Sequence, residues 1–261
     1  MHALIYLFIG SATGFLAGLL GIGGGLIIVP LLTFYFHYMG FPHETLMHVV
    51  IGTSLASMVT TTCFSAKVHT KVHPEVLKFF KKMATFVFVG SVSGALLANV
   101  LYSDHLKMAF GIFAIGVALF IFFDPQFKNR EHPPHMGTLH FGSFVIGFTS
   151  AIFGIGGGSI GLPFLTNYLN MEMHRAVGVA ALLSVLVSFV GTIAYITTGS
   201  FQTVLPPDTS GYVYWPAVIG MNLTSPFFAY FGARVEERIS VNFLKQIFAV
   251  ILLGMGLKMI F

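Results

Sequence analysis

An all-helical integral membrane protein built from two inverted repeats is the fold class the sequence predicts. Three observations carry it: an extremely apolar composition, a glycine tract that occurs twice, and a segregated pattern of lysine and arginine. Hydrophobic residues make up 56% of the chain and charged residues 8%, with a mean hydropathy of +0.86. A soluble domain has roughly a quarter of its residues charged. The apolar runs are uninterrupted and lack period-2 alternation, which favours helices over a β-barrel. No soluble domain remains to house separate chemistry. The glycine tract Gly21-Ile22-Gly23-Gly24-Gly25 returns as Gly154-Ile155-Gly156-Gly157-Gly158, and Gly14, Pro30 and Thr33 return with it as Gly147, Pro163 and Thr166. Glycine is a poor helix former, so a duplicated glycine break in membrane segments points to a transporter binding site.

Ten apolar stretches follow in order, five per half. They lie at about 3–20, 26–38, 45–66, 83–101 and 106–123, then at about 138–153, 159–171, 175–198, 212–231 and 240–260. A polar, proline-rich linker at 124–137 divides a first repeat (1–123) from a second (138–261). Met1 to Gly10 lacks a basic segment, so the start is not read as a cleaved signal peptide. Cys63, the single cysteine, is read as a small apolar helix residue, since one cysteine forms neither a disulfide within the chain nor a thiolate metal cluster. The pI near 9.2 does not imply nucleic acid, because the basic residues lie between apolar runs and there set topology.

Lys67, Lys71, Lys78, Lys81 and Lys82 cluster in one loop, Lys128 and Arg130 in the linker, and Arg234, Arg238 and Lys245 near the end. These regions are expected to be cytoplasmic. The 102–105 and 199–211 loops contain no lysine or arginine and are expected outside, leaving Lys107 and Lys258 as an outer minority. The third stretch of the first half therefore ends inside and its counterpart outside, so the halves are inverted. The second stretch, 26–38, would span only about 20 Å against a hydrocarbon core of about 30 Å. The first two stretches of each half are accordingly read as a re-entrant hairpin tipped by the glycine tract, followed by three transmembrane helices. This gives two hairpins, six full spans, external termini and two tips near the midplane.

The tips are the candidate binding elements: Gly21, Gly23, Gly24 and Gly25, and Gly154, Gly156, Gly157 and Gly158. Consecutive glycines let backbone N–H groups converge on an anion, and the helix after each tract aims its N-terminus at the tip. Pro30 and Pro163 suit a first helical turn. Close helix packing is the competing explanation, and it is favoured for Gly14 and Gly18. Neither tract has the strand–turn–helix setting or the Lys-Ser/Thr pair of a nucleotide loop.

Aligning His43 with His174 sets Thr53 opposite Ser184, Ser57 opposite Ser188 and Thr61 opposite Thr192. The spacing of four places each series on one helix face. Thr33, Thr166 and Asn167 lie just past the tracts. Such hydroxyls either donate to an oxyanion or bond their own helix backbone. The acidic residues fall in loops or at stretch ends, which disfavours a sodium or metal cage and a carboxylate proton relay, and favours an anion as substrate. His43, His48 and His174 are candidates for proton coupling or gating, or else interfacial histidines. Arg175 either draws anions to the second hairpin or serves the positive-inside rule. His69, His73, His132 and His135 are read as solvated. No cofactor is implied, and no enzyme: there is no HExxH and no evident nucleophile–base pair. Glycine faces at Gly111 and Gly116 suit either a homodimer or packing within the chain. The partners expected are a small anion and the lipid bilayer.

The doubled glycine motif with Pro30 and Pro163, together with Gly52-Thr53-Ser54-Leu55, resembles the TauE/SafE sulfite exporter family, also called the toluene sulfonate uptake permeases. The resemblance covers nearly the whole chain. It implies a prokaryotic inner-membrane carrier of sulfite, organosulfonates or related sulfur anions. It also implies that the eight tract glycines and Gly52, Thr53 and Ser54 are signature positions. The second half departs from the pattern at Leu182-Leu183-Ser184, so only Ser184 is retained there. The function expected is alternating-access transport of such an anion between the two tips. A passive anion channel, or a carrier of another small organic anion, is the alternative.

Overall fold

The computed structural model describes residues 2–20, 24–72, 74–123, 136–236 and 241–261. Ten helices account for most of it. In the first half they are α1 (His2–Leu20), α2 (Gly25–Tyr38), α3 (Leu46–Val72), α4 (Val76–Val100) and α5 (Ser103–Phe123); in the second, α6 (Met136–Phe153), α7 (Gly158–Pro163), α8 (Met173–Gly199), α9 (Trp215–Glu236) and α10 (Val241–Ile260). The ten apolar stretches thus correspond one to one with the helices. Most of the expected linker, 124–135, and Gly21, Ile22 and Gly23 of the first tract lie outside the described residues.

Two expectations change. The helix after each tract begins at the tract itself, so Pro30 and Pro163 are each the sixth residue rather than part of the first turn. A proline there has no N–H for the carbonyl one turn back. After Pro163 the helix widens into a π turn at Phe164–Tyr168. Thr33 and Thr166, one turn beyond the prolines, donate to the Val29 and Leu162 carbonyls. The second change is at the 199–211 loop. It contains a short antiparallel ribbon, β1 (Thr209–Ser210) and β2 (Val213–Tyr214), closed by a two-residue turn with Gly211 at φ 55°. A positive φ at the first turn residue is what a tight hairpin demands.

Five of the described helices, α3, α4, α5, α6 and α8, are long and apolar enough to cross a membrane. At 18 residues, α6 is about 27 Å long, so length does not by itself separate the expected hairpin leg from a full span.

Helix pairing is reciprocal between the halves. α1 packs on α9 and α6 on α4; α3 packs on α8 and α5 on α10; α2 packs on α3 and α7 on α8. Glycines permit the closest crossings. A methyl placed on Gly14 would lie 2.4 Å from the Ser225 carbonyl oxygen, and one on Gly147 would lie 2.2 Å from that of Val87. Gly10 and Gly18 extend the α1 stripe against Met221 and Ala229 of α9. Gly14 and Gly18 are therefore packing positions. Gly111 sits against Gly256 and Ile260 of α10, while Gly116 faces open space.

Candidate functional site

The two glycine tracts touch. A methyl on Gly25, the first residue of α2, would lie 2.4 Å from Ile155 Cα and 2.8 Å from the Gly154 carbonyl oxygen. No side chain fits there, so glycine is required by contact between the tips. In the second tract, Gly154 has φ 67° and Gly156 φ 71°, the left-handed region that costs other residues roughly 1–2 kcal/mol. Gly157 abuts the Leu183 backbone of α8, and Gly156 faces Met58 and Ser184. The described tract residues, Gly24, Gly25 and Gly154 to Gly158, are buried. Their helices start at the tips, so the N–H ends of both helices lie at this junction, with Ile27 and Ile28 bonded to the Gly24 carbonyl and Gly161 to that of Gly157.

Ser54 of α3 joins the junction directly: its hydroxyl donates to the Gly154 carbonyl at 2.8 Å. Ser184 also lies against the second tip but donates to Ala180 of its own helix at 2.9 Å. Ser57, Thr61, Ser188 and Thr192 likewise bond their own helices. Thr53 differs from all of these. Its oxygen accepts the Tyr214 backbone N–H at 3.0 Å, so it is engaged by the ribbon rather than by the tips. Adjacent helix residues point about 100° apart, which is how Thr53 and Ser54 serve two different neighbours.

α3 and α8 are antiparallel: Gly178 lies near His69, Gly191 against Leu55, and Gly52 beside Tyr195. At one end of this pair the ribbon is wedged between the helices. Methyls on Gly52, Gly199 and Gly211 would each fall within 2.2–2.5 Å of backbone across that contact. The Tyr212 N–H donates to the Tyr195 carbonyl at 3.1 Å, its hydroxyl to Asn99 Oδ1 at 3.2 Å, and its ring stacks on His48 at 5.0 Å. His48 is buried, with Nε2–H donating to the Ala98 carbonyl at 3.0 Å. Tyr214 packs edge-on against Phe36, Phe41 and Tyr6. Thr53 is seven residues into α3, about 10 Å below its start. Non-helical backbone at that depth is tolerated where protein buries it, and residues 211–214 are buried.

Near the other end of the pair, a cavity opens between the start of α8 and α4. This cavity, of about 370 Å³, is lined by Glu75, Val76 and Phe79 of α4, Asn170, Met171 and Glu172 before α8, and Arg175 and Val179 on it. Arg175 Nε lies 3.5 Å from Glu75 and 3.4 Å from Glu172. Arg175, Val179 and Leu183 share one helix face, so this wall leads to the residue that abuts Gly157. The lysines at 67, 71, 78, 81 and 82 surround this end and are exposed. His43, exposed, lies 3.5 Å from Asp104, and His174 is exposed beside Arg175.

The ribbon, its anchor Asn99 and the ring partner Tyr212 were not among the residues that the sequence singled out. The one available signal was three glycines, Gly52, Gly199 and Gly211, outside the repeated tracts.

The chain belongs to the sulfite exporter TauE/SafE family, whose model matches residues 6–259. A probable membrane transporter protein of Haemophilus influenzae is 31% identical over 98% of this chain and 97% of its own length. One from Methanocaldococcus jannaschii is 30% identical over 98% of this chain and 94% of its own. A third, YunE of Bacillus subtilis, is 23% identical over 100% of this chain and 98% of its own. No solved structure matches. Family, relatives and long apolar helices together make this a multi-pass membrane protein of a transporter family.

Proposed function

We propose that the protein is a secondary transporter of a small sulfur-containing anion, sulfite or an organosulfonate, bound where the two glycine tips meet. The observation that carries this is the backbone contact of Gly25 with Gly154 and Ile155, held from the side by Ser54. Two helix starts and a hydroxyl offer N–H and O–H donors without a fixed positive charge, which suits a substrate that must be released again. The tips part to admit the anion, and Ser184 and the Thr53 face then complete its shell.

The reciprocal helix pairing supports two inverted repeats rocking about the tips. So does the difference between the ends of the α3–α8 pair, one filled and one open. A carrier exposes its site to one side at a time, whereas a channel needs both ends open together. On the lysine pattern the open end faces the cytoplasm.

Purified protein in liposomes tests this. Uptake of labelled sulfite or taurine should saturate, should be accelerated by the same anion on the other side, and should be lost in Gly25→Ala and Gly157→Val variants that still unfold cooperatively. Linear, non-saturating flux without counterflow favours the channel. Normal uptake by both variants sinks the site between the tips.

A further inference from the structure

We infer that His48 is a proton-binding site which controls the ribbon at 209–214, so that the ribbon is a gate and the proton is a second ligand of the transporter. This deepens the transport reading and rests on it for the direction of coupling, but not for the gate itself.

His48 is 4% exposed. A carbonyl only accepts, so the bond to Ala98 fixes the proton on Nε2. Nδ1 is then a bare acceptor, and it is buried without a partner. Such a lone pair in a protein interior calls for an explanation. The gate supplies one, because the ring's flat face carries Tyr212 at 5.0 Å. His48 is thus bonded to α4 on its edge and to the ribbon on its face, one helical turn before Gly52, against which the Tyr212 carbonyl packs.

The surroundings of the ring are neutral. Tyr212 from the ribbon, the Ala98 carbonyl from α4 and the Leu101 backbone just after α4 lie against it. Tyr195 of α8 reaches it only through Tyr212, at 6.2 Å. On α5, Asp104 pairs with exposed His43, and Lys107 belongs to the same turn; Glu44 and Asp208 are exposed. Among the described residues no carboxylate contacts the ring. A proton on Nδ1 therefore places a charge in a closed site where only the backbone of Ala98 and Leu101 answers it and no carboxylate does, which is costly. Withdrawal of the ribbon relieves it, by admitting water and then an anion to the Thr53 face that Tyr214 vacates. Because the open form holds the proton more tightly than the closed form, the open population grows as pH falls.

The test is a cysteine buried only when the gate is shut. Val213 is 0% exposed and packs on Ala56 and Val218. Val213→Cys is made with Cys63→Ser, and its reaction with a methanethiosulfonate reagent is followed in detergent. Rates are divided by those of a Phe201→Cys reference, which sits on exposed backbone nearby and corrects for thiolate fraction. From pH 8 to pH 5 the normalised rate should rise about tenfold. His48→Gln keeps an amide donor for Ala98 and does not titrate, so its rate should stay flat; His48→Asn is the second non-titrating variant. A rise in both variants equal to that with His48 present, or no rise with His48 present, overturns the proposal. Adding taurine or isethionate at pH 5 separates the two readings. If neither changes the rate while the dependence on His48 persists, the gate stands and the sulfonate reading fails.

Discussion

The two ends of the α3–α8 pair are built from matching helix faces and finished in opposite ways. With His43 set against His174, Arg175, Val179 and Leu183 of α8 correspond to Glu44, just before α3, and to His48 and Gly52 on it. Arg175 and Val179 of the first face line an open cavity of about 370 Å³. In the second, Tyr212 of the ribbon covers His48 and Gly52, while Glu44 stays exposed. The two connections explain the difference. α3 passes to α4 through 73–75, too short to fold back, while α8 passes to α9 through 200–214, long enough to form a ribbon and return into the crevice. The lesson is that helices paired reciprocally between the halves become one-sided through their loops. It is also why the repeat carries no sign of the ribbon.

The largest way to break the comparison is to remove the ribbon's seat. Gly211→Ala would push a methyl to 2.2 Å from the Ile196 carbonyl oxygen, at φ 55°. Overpacking and left-handed strain together should cost about 2–4 kcal/mol. The expected outcome is a lower melting temperature and a Val213→Cys thiol that reacts at all pH values. A variant as stable and as closed as the parent would show that the ribbon does not depend on this contact.

Next is the junction that the two ends share. Ser54→Ala removes the donor to the buried Gly154 carbonyl, and losing such a bond costs about 1–3 kcal/mol. Ser184→Ala removes only a bond within its own helix, so it should cost less than about 1 kcal/mol. Denaturation of the pair should rank Ser54 above Ser184. Equal losses would mean that the two halves hold the second tip symmetrically.

Much of this was legible beforehand, for definable reasons. Long apolar runs and their glycine breaks are strong local signals, so each of the ten stretches holds one helix, with longer ends on α3, α4 and α9 and an earlier end on α7, which gives way to the π turn. The pairing of Thr53 with Ser184 was legible as spacing but not as chemistry. Ser184 bonds its own helix, while Thr53 bonds the ribbon, and no pattern within α3 encodes a partner at Tyr214. The ribbon itself is two residues per strand, below the length at which alternation can be read. Its marks, Gly52, Gly199 and Gly211, are scattered along the chain and converge only in three dimensions. The prolines were misplaced because a glycine tract reads as a break, yet Gly25 and Gly158 already belong to the helices they precede.

The smallest expected effect sharpens the open end. Arg175 contacts Glu75 and Glu172 with about half of its side chain in water, and exposed pairs contribute about 0–1 kcal/mol. Arg175→Gln should therefore leave the melting temperature almost unchanged. Its effect should appear in uptake instead. A cation at the mouth raises the local anion concentration, and salt screens that pull over about 10 Å at 0.1 M. The variant should show a higher KM with kcat intact at low salt, and the difference should shrink as salt is added. Glu172→Gln frees Arg175 from one carboxylate and should lower KM under the same conditions. Were both variants to shift stability but not KM, Arg175 would be a brace between α4 and α8, and the open cavity would owe its selectivity to the tips alone.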